Sequence, residues 1–136
     1  MGLFANFNIS GSAISAQSTR LNTTASNMAN TETIASSADK AYRARQPIFQ
    51  SMVSNNRQPG QIAVRMLGVV ESQAEVLKRY DPGNAMANEE GYIFASNVNS
   101  VEEMANMISA SRAYQNNVEV LNTSRDLLMR VLSLGS

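Results

Sequence analysis

Bulky apolar side chains recur every seven residues at both ends of the chain. The first series runs between residues 4 and 28, with one large residue per heptad at Phe7, Ile14, Leu21 and Met28. This spacing keeps the four side chains on one side of a helix, as in coiled coils. It predicts an amphipathic N-terminal helix whose apolar row faces a partner.

The C-terminal series is longer and follows a helix-start signal. Ser100 is the predicted N-cap, and Glu103, three residues later, completes the spacing of a capping box. From there the chain reaches Gly135 without proline or glycine, which predicts one continuous helix. The apolar positions on one side of this helix form a second predicted seam: Met104, Met107, Tyr114, Val118, Leu121, Leu128 and Leu132.

Another apolar series lies on nearly the opposite side of the same C-terminal helix. It consists of Ala113, Val120, Leu127 and Leu134, again seven residues apart, and we call it the outer stripe. One partner helix can cover only one of the two sides, and little of a 136-residue chain remains to cover the other. Because apolar stripes left in water mark interaction surfaces, the outer stripe predicts contacts with other subunits.

Residues 34–99 lack helical periodicity and contain all three prolines. The turn-rich tract 51–60 separates two extended apolar runs, which predicts a β-hairpin, and residues 91–95 predict a further short strand. The serine-rich residues 34–40 are interpreted as a flexible link. Together with the two helices, these patterns predict a mainly α fold with a small β part.

Composition narrows the possible functions. Eleven Lys and Arg balance eleven Asp and Glu, so no net charge favours binding to nucleic acid or to an anionic membrane. Cysteine and histidine are both absent, which excludes thiol chemistry and removes the commonest general base and metal ligand. The adjacent carboxylates of Glu102 and Glu103 should point about 100° apart on a helix, so they are not expected to share a cleft. We therefore expect neither enzymatic activity nor a cofactor.

The sequence signals for membrane insertion and for secretion are both weak. The longest apolar tract, residues 66–70, is far too short to span a bilayer, so no membrane insertion is expected. Residues 1–31 carry Arg20 as their only basic side chain and lack the apolar run of a secretory signal. Any export is therefore expected to proceed without a cleaved signal peptide.

Several segments together resemble one known family. Residues 11–17, followed by Leu21-Asn22 and the stretch SNMANTET at 26–33, resemble the N-terminal signature of bacterial flagellar axial proteins, which include rod and hook subunits. The blocks 80–104 and 109–122 narrow the resemblance to the small proximal-rod members of that family. The likeness extends over essentially the whole chain.

The resemblance implies an architecture and a role. The terminal segments, residues 1–33 and 100–136, are expected to pair as an antiparallel coiled coil around a central channel, with residues 34–99 as a small outer domain. The implied function is that of a structural subunit of the periplasmic rod, which assembles with itself and with other rod subunits. Export through the flagellar type III apparatus is implied as well.

The SNMANTET motif is expected to end the first helix. Met28 is the last member of the apolar row, and Asn30 is the candidate residue for the helix terminus. The amides of Asn27 and Asn30 are expected to bond backbone groups at that terminus. Asn27, Ala29, Asn30 and Thr33 therefore form the predicted motif, a helix end buried against neighbouring subunits.

A different class of function also fits a C-terminal helix with two apolar sides. A soluble helical adaptor or export chaperone would use the outer stripe to bind one client. Such a protein would be a compact, stable dimer or heterodimer, whereas a rod subunit is expected to order fully only in an assembly. Protection of the termini from proteases in the isolated protein distinguishes the two.

Overall fold

Two long helices at the ends of the sequence dominate the fold. A computed structural model describes residues 3–53 and 62–134 of the chain. The helices are α1 (Leu3–Ala29) and α2 (Ser100–Leu134). Between them the described residues form five strands: β1 (Ile34–Ala35), β2 (Arg45–Val53), β3 (Ile62–Glu71), β4 (Leu77–Tyr80) and β5 (Tyr92–Ala95). The predicted fold class, mainly α with a small β part, is confirmed.

The two helices pack against each other in antiparallel orientation. The Arg20 guanidinium donates a hydrogen bond to Asn106 Oδ1 at 3.1 Å, which places the last turns of α1 beside the first turns of α2. Ala16 lies four residues before Arg20 and Ala110 lies four residues after Asn106, and both alanines are buried. Small side chains at these positions let the two helix backbones approach closely.

The contact surface of α2 differs in part from the predicted seam. Most of the predicted seam residues are half-buried: Phe7, Ile14, Leu21, Met28, Met107, Val118, Leu121 and Leu128. Met104 and Tyr114 are exposed, Met104 by 45%, because α2 is rotated so that the row of Glu103 and Ala110 faces α1. In the antiparallel pair, the first residue of α1 lies beside about residue 123 of α2. Leu132 lies beyond that point, and it is 61% exposed.

A three-stranded antiparallel sheet lies beyond the end of α1, with strand order β1-β5-β4. Its central strand carries the fully buried Ile93. β1 pairs with β5 through Ala35 and Phe94, and both Ala35 and Ala41 are buried. The interpretation of residues 34–40 as a flexible link is therefore wrong. A two-residue strand that pairs with a remote segment leaves no periodic signal in its own sequence.

The predicted β-hairpin is formed by β2 and β3, which pair antiparallel from Arg45–Glu71 to Val53–Ile62. Its connecting turn lies outside the described residues. The register changes between Ile48 and Phe49, where β3 carries one extra residue, a β-bulge that increases the local twist. The hairpin lies against α1, where the Val64 N–H donates to the Ser12 hydroxyl at 3.2 Å.

Gly91 connects β4 to β5 in a conformation that requires glycine. Its φ is +81°, and a Cβ at this position would lie 2.8 Å from Cε2 of Tyr80. We expect Gly91→Ala to lower the free energy of unfolding by about 1–2 kcal/mol, because an L-residue is strained there even if the exposed ring moves aside. Urea denaturation measures the change.

Gly83→Ala is the matched control for Gly91→Ala. Gly83 lies in the neighbouring turn, its φ is not left-handed, and an added Cβ there meets no atom within 4 Å. Its substitution is expected to be neutral within about 0.5 kcal/mol. Equal stabilities of the two variants would contradict the assignment of strain to Gly91.

Candidate functional site

α1 ends inside the SNMANTET motif, at Ala29. The Asn30 side-chain amide donates to the Ser26 carbonyl at 2.8 Å, and the Thr33 hydroxyl donates to the Asn30 carbonyl at 2.7 Å. Ala29 and Thr33 themselves are exposed. The side chains of the motif thus pair carbonyl groups that the last helical turn leaves without intrahelical partners.

The structure differs from the expectation for Asn27, because its side chain hydrogen-bonds to β2 rather than to backbone groups at the end of α1. Its Nδ2 donates to the Arg45 carbonyl at 2.8 Å, while its Oδ1 accepts the Arg45 backbone N–H at 2.9 Å. The same Oδ1 accepts the Tyr42 hydroxyl at 3.0 Å, and the Ser26 hydroxyl lies 3.2 Å from the Tyr42 oxygen. We call Ser26, Asn27, Tyr42 and Arg45 the polar lock.

The polar lock ties the start of β2 to the end of α1. A primary amide offers both a donor and an acceptor, so Asn27 pairs with Arg45 much as a neighbouring strand would. Only 1% of Asn27 is exposed, and a buried polar network with every bond made fixes its members in one arrangement. No sequence pattern connects Asn27 to Tyr42 or Arg45, because they are 15 and 18 residues away.

A second polar junction holds the segment that leads into β2. Asn97 Oδ1 accepts the Ala44 N–H at 2.7 Å, and Asn97 Nδ2 donates to the Ala74 carbonyl at 2.9 Å. The Arg43 guanidinium donates to the same Ala74 carbonyl at 3.0 Å. Residues before β2, before β4 and after β5 therefore meet at one point near the start of α2.

The helix cap of α2 lies one residue earlier than predicted. Asn99 Oδ1 accepts the backbone N–H groups of Val101 and Glu102 at 3.1 and 3.3 Å, so Asn99 rather than Ser100 is the N-cap. Asn and Ser are both strong N-caps, and the sequence pattern does not separate adjacent candidates. With Asn99 as the N-cap, Glu102 rather than Glu103 stands three residues later, and Glu103 lies on the buried side of α2. Contrary to the sequence-based expectation, Glu102 and Glu103 line the same open cleft.

The outer stripe faces solvent in the single chain. Ala113 is half-buried, whereas Val120, Leu127 and Leu134 are exposed, Leu134 by 87%. Val120 and Ala113 border shallow grooves on the free side of α2, and Asn116 lines both grooves. The geometry is that of an apolar surface interrupted by small side chains, which can accept the side chains of another helix.

Charged groups in the described chain are few and mostly solvated. Its two ion pairs, Arg45–Glu71 at 3.6 Å and Arg79–Asp81 at 3.7 Å, join exposed side chains and contribute little to stability. Within residues 3–53 and 62–134, no three acidic side chains converge on a possible metal site. In that same part of the chain, no helix is both long and apolar enough to cross a bilayer.

Comparison with known proteins finds relatives along the whole chain. Residues 89–134 match the family model for the C-terminal region of flagellar basal body rod FlgEFG proteins. The chain is 44% identical to the flagellar basal-body rod protein FlgC of Salmonella typhimurium and 45% identical to that of Escherichia coli O157:H7, each over 135 residues. It is 41% identical over 137 residues to FlgC of Buchnera aphidicola subsp. Acyrthosiphon pisum. Each alignment covers 99% of both chains. The chain therefore belongs to the FlgC family of flagellar basal-body rod proteins.

Proposed function

We propose that this protein is a non-catalytic structural subunit of the proximal rod of the flagellar basal body. It polymerises axially with other rod subunits and with copies of itself. The helix pairs of successive subunits form the wall of a torque-transmitting shaft with a central channel. The observation that carries this proposal is the two-sided α2, which packs on α1 with one side and leaves apolar residues exposed on the other.

The exposed apolar residues of α2 support assembly through this helix. They are distributed along its whole length: Val101, Met104, Ile108, Tyr114, Val120, Leu127, Met129, Val131, Leu132 and Leu134. Soluble monomers rarely leave so large an apolar surface in water, and such surfaces mark protein interfaces. The residues of the outer stripe are the proposed contacts with neighbouring subunits, and the half-buried seam residues hold the helix pair together.

The proposed domain division follows the two helices. Residues 1–33 and 100–136 form the axial core, and residues 34–99 form a small domain that carries the hairpin. The polar lock supports this arrangement, because it fixes β2 on the last turn of α1. A fixed hairpin orientation gives every subunit the same outer surface.

We infer that the chain leaves the cell through the flagellar type III export apparatus, without a cleaved signal peptide, and acts in the periplasmic part of the rod. Two sequence properties support passage as an unfolded chain. The absence of cysteine means that no disulfide has to form or break. α1 is rich in Ser, Thr and Asn, which have low helix propensity, so this helix unfolds at low cost.

Truncation of the outer stripe tests the proposal. In cells that lack the native gene, we expect Leu127→Ala to reduce the yield of basal bodies and the motility. The isolated variant should lose only about 0.5–1 kcal/mol of its free energy of unfolding, because Leu127 is exposed. Electron-microscopic counts of purified basal bodies and thermal unfolding provide the two measurements.

Leu128→Ala is the matched control. This neighbouring residue is half-buried, in the same heptad row of α2 as Leu121, so its truncation should weaken the isolated fold by about 1–3 kcal/mol. If Leu127→Ala destabilises the isolated protein as strongly as Leu128→Ala does, the outer stripe is ordinary core and the proposed assembly surface is wrong.

The alternative role as a soluble adaptor or export chaperone is not favoured, because relatives along the entire chain are named as rod proteins. The two roles differ in where the protein is found. A rod subunit is retained in purified basal bodies, whereas an adaptor remains in the soluble fraction with its client. Detection of the protein with an antibody in both fractions distinguishes them.

A further inference from the structure

The β-hairpin of β2 and β3 has one face turned toward α1 and one turned away from it. On the first face, Arg45, Val69 and Glu71 line a cleft together with residues of α1. Side chains alternate along a strand, so the residues between these form the opposite face. We call that side the hairpin face: Gln46, Ile48, Gln50, Met52, Ala63, Arg65, Gly68 and Val70.

The hairpin face is apolar and uncovered in the described chain. Its three large apolar side chains are 43–45% exposed, and the hairpin packs on α1 but not on α2. Gly68 pairs with Ile48, and a Cβ added at Gly68 would meet no atom within 4 Å, so open space lies over it. A two-stranded sheet is only marginally stable alone, and an apolar sheet face is normally covered by a second layer.

The outer stripe of α2 matches the hairpin face in length. From Ala113 to Leu127 it extends about 21 Å along the helix, at 1.5 Å per residue. The hairpin face extends about 20 Å from Gln46 to Met52, at 3.3 Å per residue. The two exposed apolar surfaces are therefore of the right size to cover each other, as a helix covers one face of a sheet.

The charges on the two surfaces are complementary. Arg65 is the one charged residue of the hairpin face, it is exposed, and its guanidinium forms no ion pair or hydrogen bond among the described residues. Glu119 and Asp126 lie along the middle of the outer stripe, and both are exposed. Arg112 and Arg130 lie on the same side of α2, but two turns before Glu119 and one turn after Asp126. The middle of the stripe is therefore acidic.

We propose that the hairpin face of one copy packs on the outer stripe of a second copy, with Arg65 between Glu119 and Asp126. An apolar side chain of the stripe then fills the open space over Gly68. This inference rests on the proposed function and identifies the surface that covers the outer stripe. Because two different surfaces meet, each copy can bind one neighbour through its hairpin and another through α2, so the contact repeats along an assembly.

Cysteine cross-linking tests this contact in the full-length protein, which has no cysteine of its own. Gln50 lies opposite Arg65 in the hairpin, Thr123 lies between Glu119 and Asp126, and both Gln50 and Thr123 are exposed. When Gln50→Cys and Thr123→Cys proteins are mixed at high concentration with a short bismaleimide, we expect a cross-linked dimer of one chain of each kind.

Two controls show whether this cross-linking is specific. Each variant alone should give several-fold less product, because the proposed contact joins two different surfaces. Either variant mixed with Leu77→Cys should also give several-fold less product, since Leu77 is exposed on β4, outside both surfaces. Equal cross-linking of Gln50→Cys with itself, or no mixed product at the highest soluble concentration, overturns the proposal.

Charge variants test the pairing itself. Arg65→Glu on the Gln50→Cys chain places like charges together and should lower the yield of the mixed dimer at least about fivefold. Glu119→Arg together with Asp126→Arg on the Thr123→Cys chain should restore the yield with that partner. An unchanged yield with Arg65→Glu alone would contradict the proposed pairing.

Filling the open space over Gly68 tests the apolar part of the contact. Gly68→Gln on the Gln50→Cys chain should lower the yield several-fold while the urea midpoint of the isolated protein stays the same, because the added side chain meets no atom of its own chain. Gly83→Gln is the matched control, since Gly83 also adjoins open space but lies outside the hairpin. Equal yields with the two glycine variants would contradict the proposed packing.

Retention in basal bodies separates this inference from the proposed function. If the wild-type chain is retained in basal bodies but the mixed dimer does not form, the outer stripe binds a different rod subunit and the self-contact is wrong. If the wild-type chain is absent from basal bodies, the proposed function itself fails, whatever the cross-linking shows.

Discussion

Replacing Leu121 with Asp is expected to abolish incorporation of the subunit into the rod while leaving its synthesis intact. Leu121 is half-buried in the row of α2 that faces α1, on a helix pair with few large buried side chains. The substitution removes apolar contact and places a carboxylate beside an uncharged stretch of α1, a loss of about 3–4 kcal/mol. That loss is a large fraction of the roughly 5–15 kcal/mol that stabilises a typical domain.

The adjacent residue supplies the control for Leu121→Asp. Asn122 is exposed on α2, so Asn122→Asp introduces the same charge one position away without burying it. Equal expression of both variants, followed by electron microscopy of basal bodies, separates failed assembly from failed synthesis. Normal basal bodies in the Leu121→Asp strain would show that the helix pair is not required for the rod.

Local periodicity is the reason that the helices and the hairpin are predictable from the sequence. The predicted N-terminal helix between residues 4 and 28 corresponds to α1 at Leu3–Ala29, and the C-terminal helix corresponds to α2 at Ser100–Leu134. Heptad spacing and a run without glycine or proline are properties of residues within a few helical turns of one another, so a short stretch of sequence is enough to detect them. The hairpin has the same local origin, two extended runs on either side of a turn-rich tract.

Features that depend on contacts between remote residues do not follow from such patterns. Heptad spacing places Met104 and Met107 on one side of α2, but it does not fix the rotation that leaves Met104 exposed. The strand β1 exists because Ala35 pairs with Phe94. The bonds of Asn27 to Arg45 likewise require the folded chain, although the motif that contains Asn27 marks the right helix end.

The outer stripe stays a prediction for a physical reason. Exposure of Val120, Leu127 and Leu134 in one chain is what an intersubunit surface requires, but a single chain contains no neighbour to contact them. Glu103 shows how the folded chain adds to the sequence. The capping pattern explains it as part of a predicted helix cap, whereas in the folded chain Asn99 is the N-cap and Glu103 lies on the buried side of α2.

Replacing Asn27 with Ala is expected to release the start of β2 from α1 and to lower the free energy of unfolding by about 3 kcal/mol. The change removes the bonds to the backbone N–H and carbonyl of Arg45 and to the Tyr42 hydroxyl. Each buried group left without a partner costs about 1–3 kcal/mol, and part of this cost is recovered where water reaches the freed groups. Urea denaturation of the isolated protein measures the total.

Two milder variants test whether the destabilisation by Asn27→Ala comes from the polar lock or from the end of α1. Tyr42→Phe removes a single hydroxyl and should cost about 1 kcal/mol, and the double variant with Asn27→Ala should cost less than the sum of the two. Asn30→Ala removes only the bond to the Ser26 carbonyl at the half-buried helix terminus, so it should cost about 0.5–1 kcal/mol.

Amide hydrogen exchange resolves where Asn27→Ala acts. In the native protein the Arg45 N–H is bonded to Asn27 Oδ1, so its protection should be lost in the variant. The amide of Ile93, fully buried in the other sheet, should keep its protection, because that strand is held by β1 and β4. Retained protection at Arg45, or a destabilisation no greater than that of Asn30→Ala, would mean that packing along α1 alone positions the hairpin. If Asn27→Ala breaks the polar lock as expected, the hairpin keeps the hydrogen bonds between β2 and β3 but loses its fixed angle to α1. Every subunit of a regular rod must share that angle.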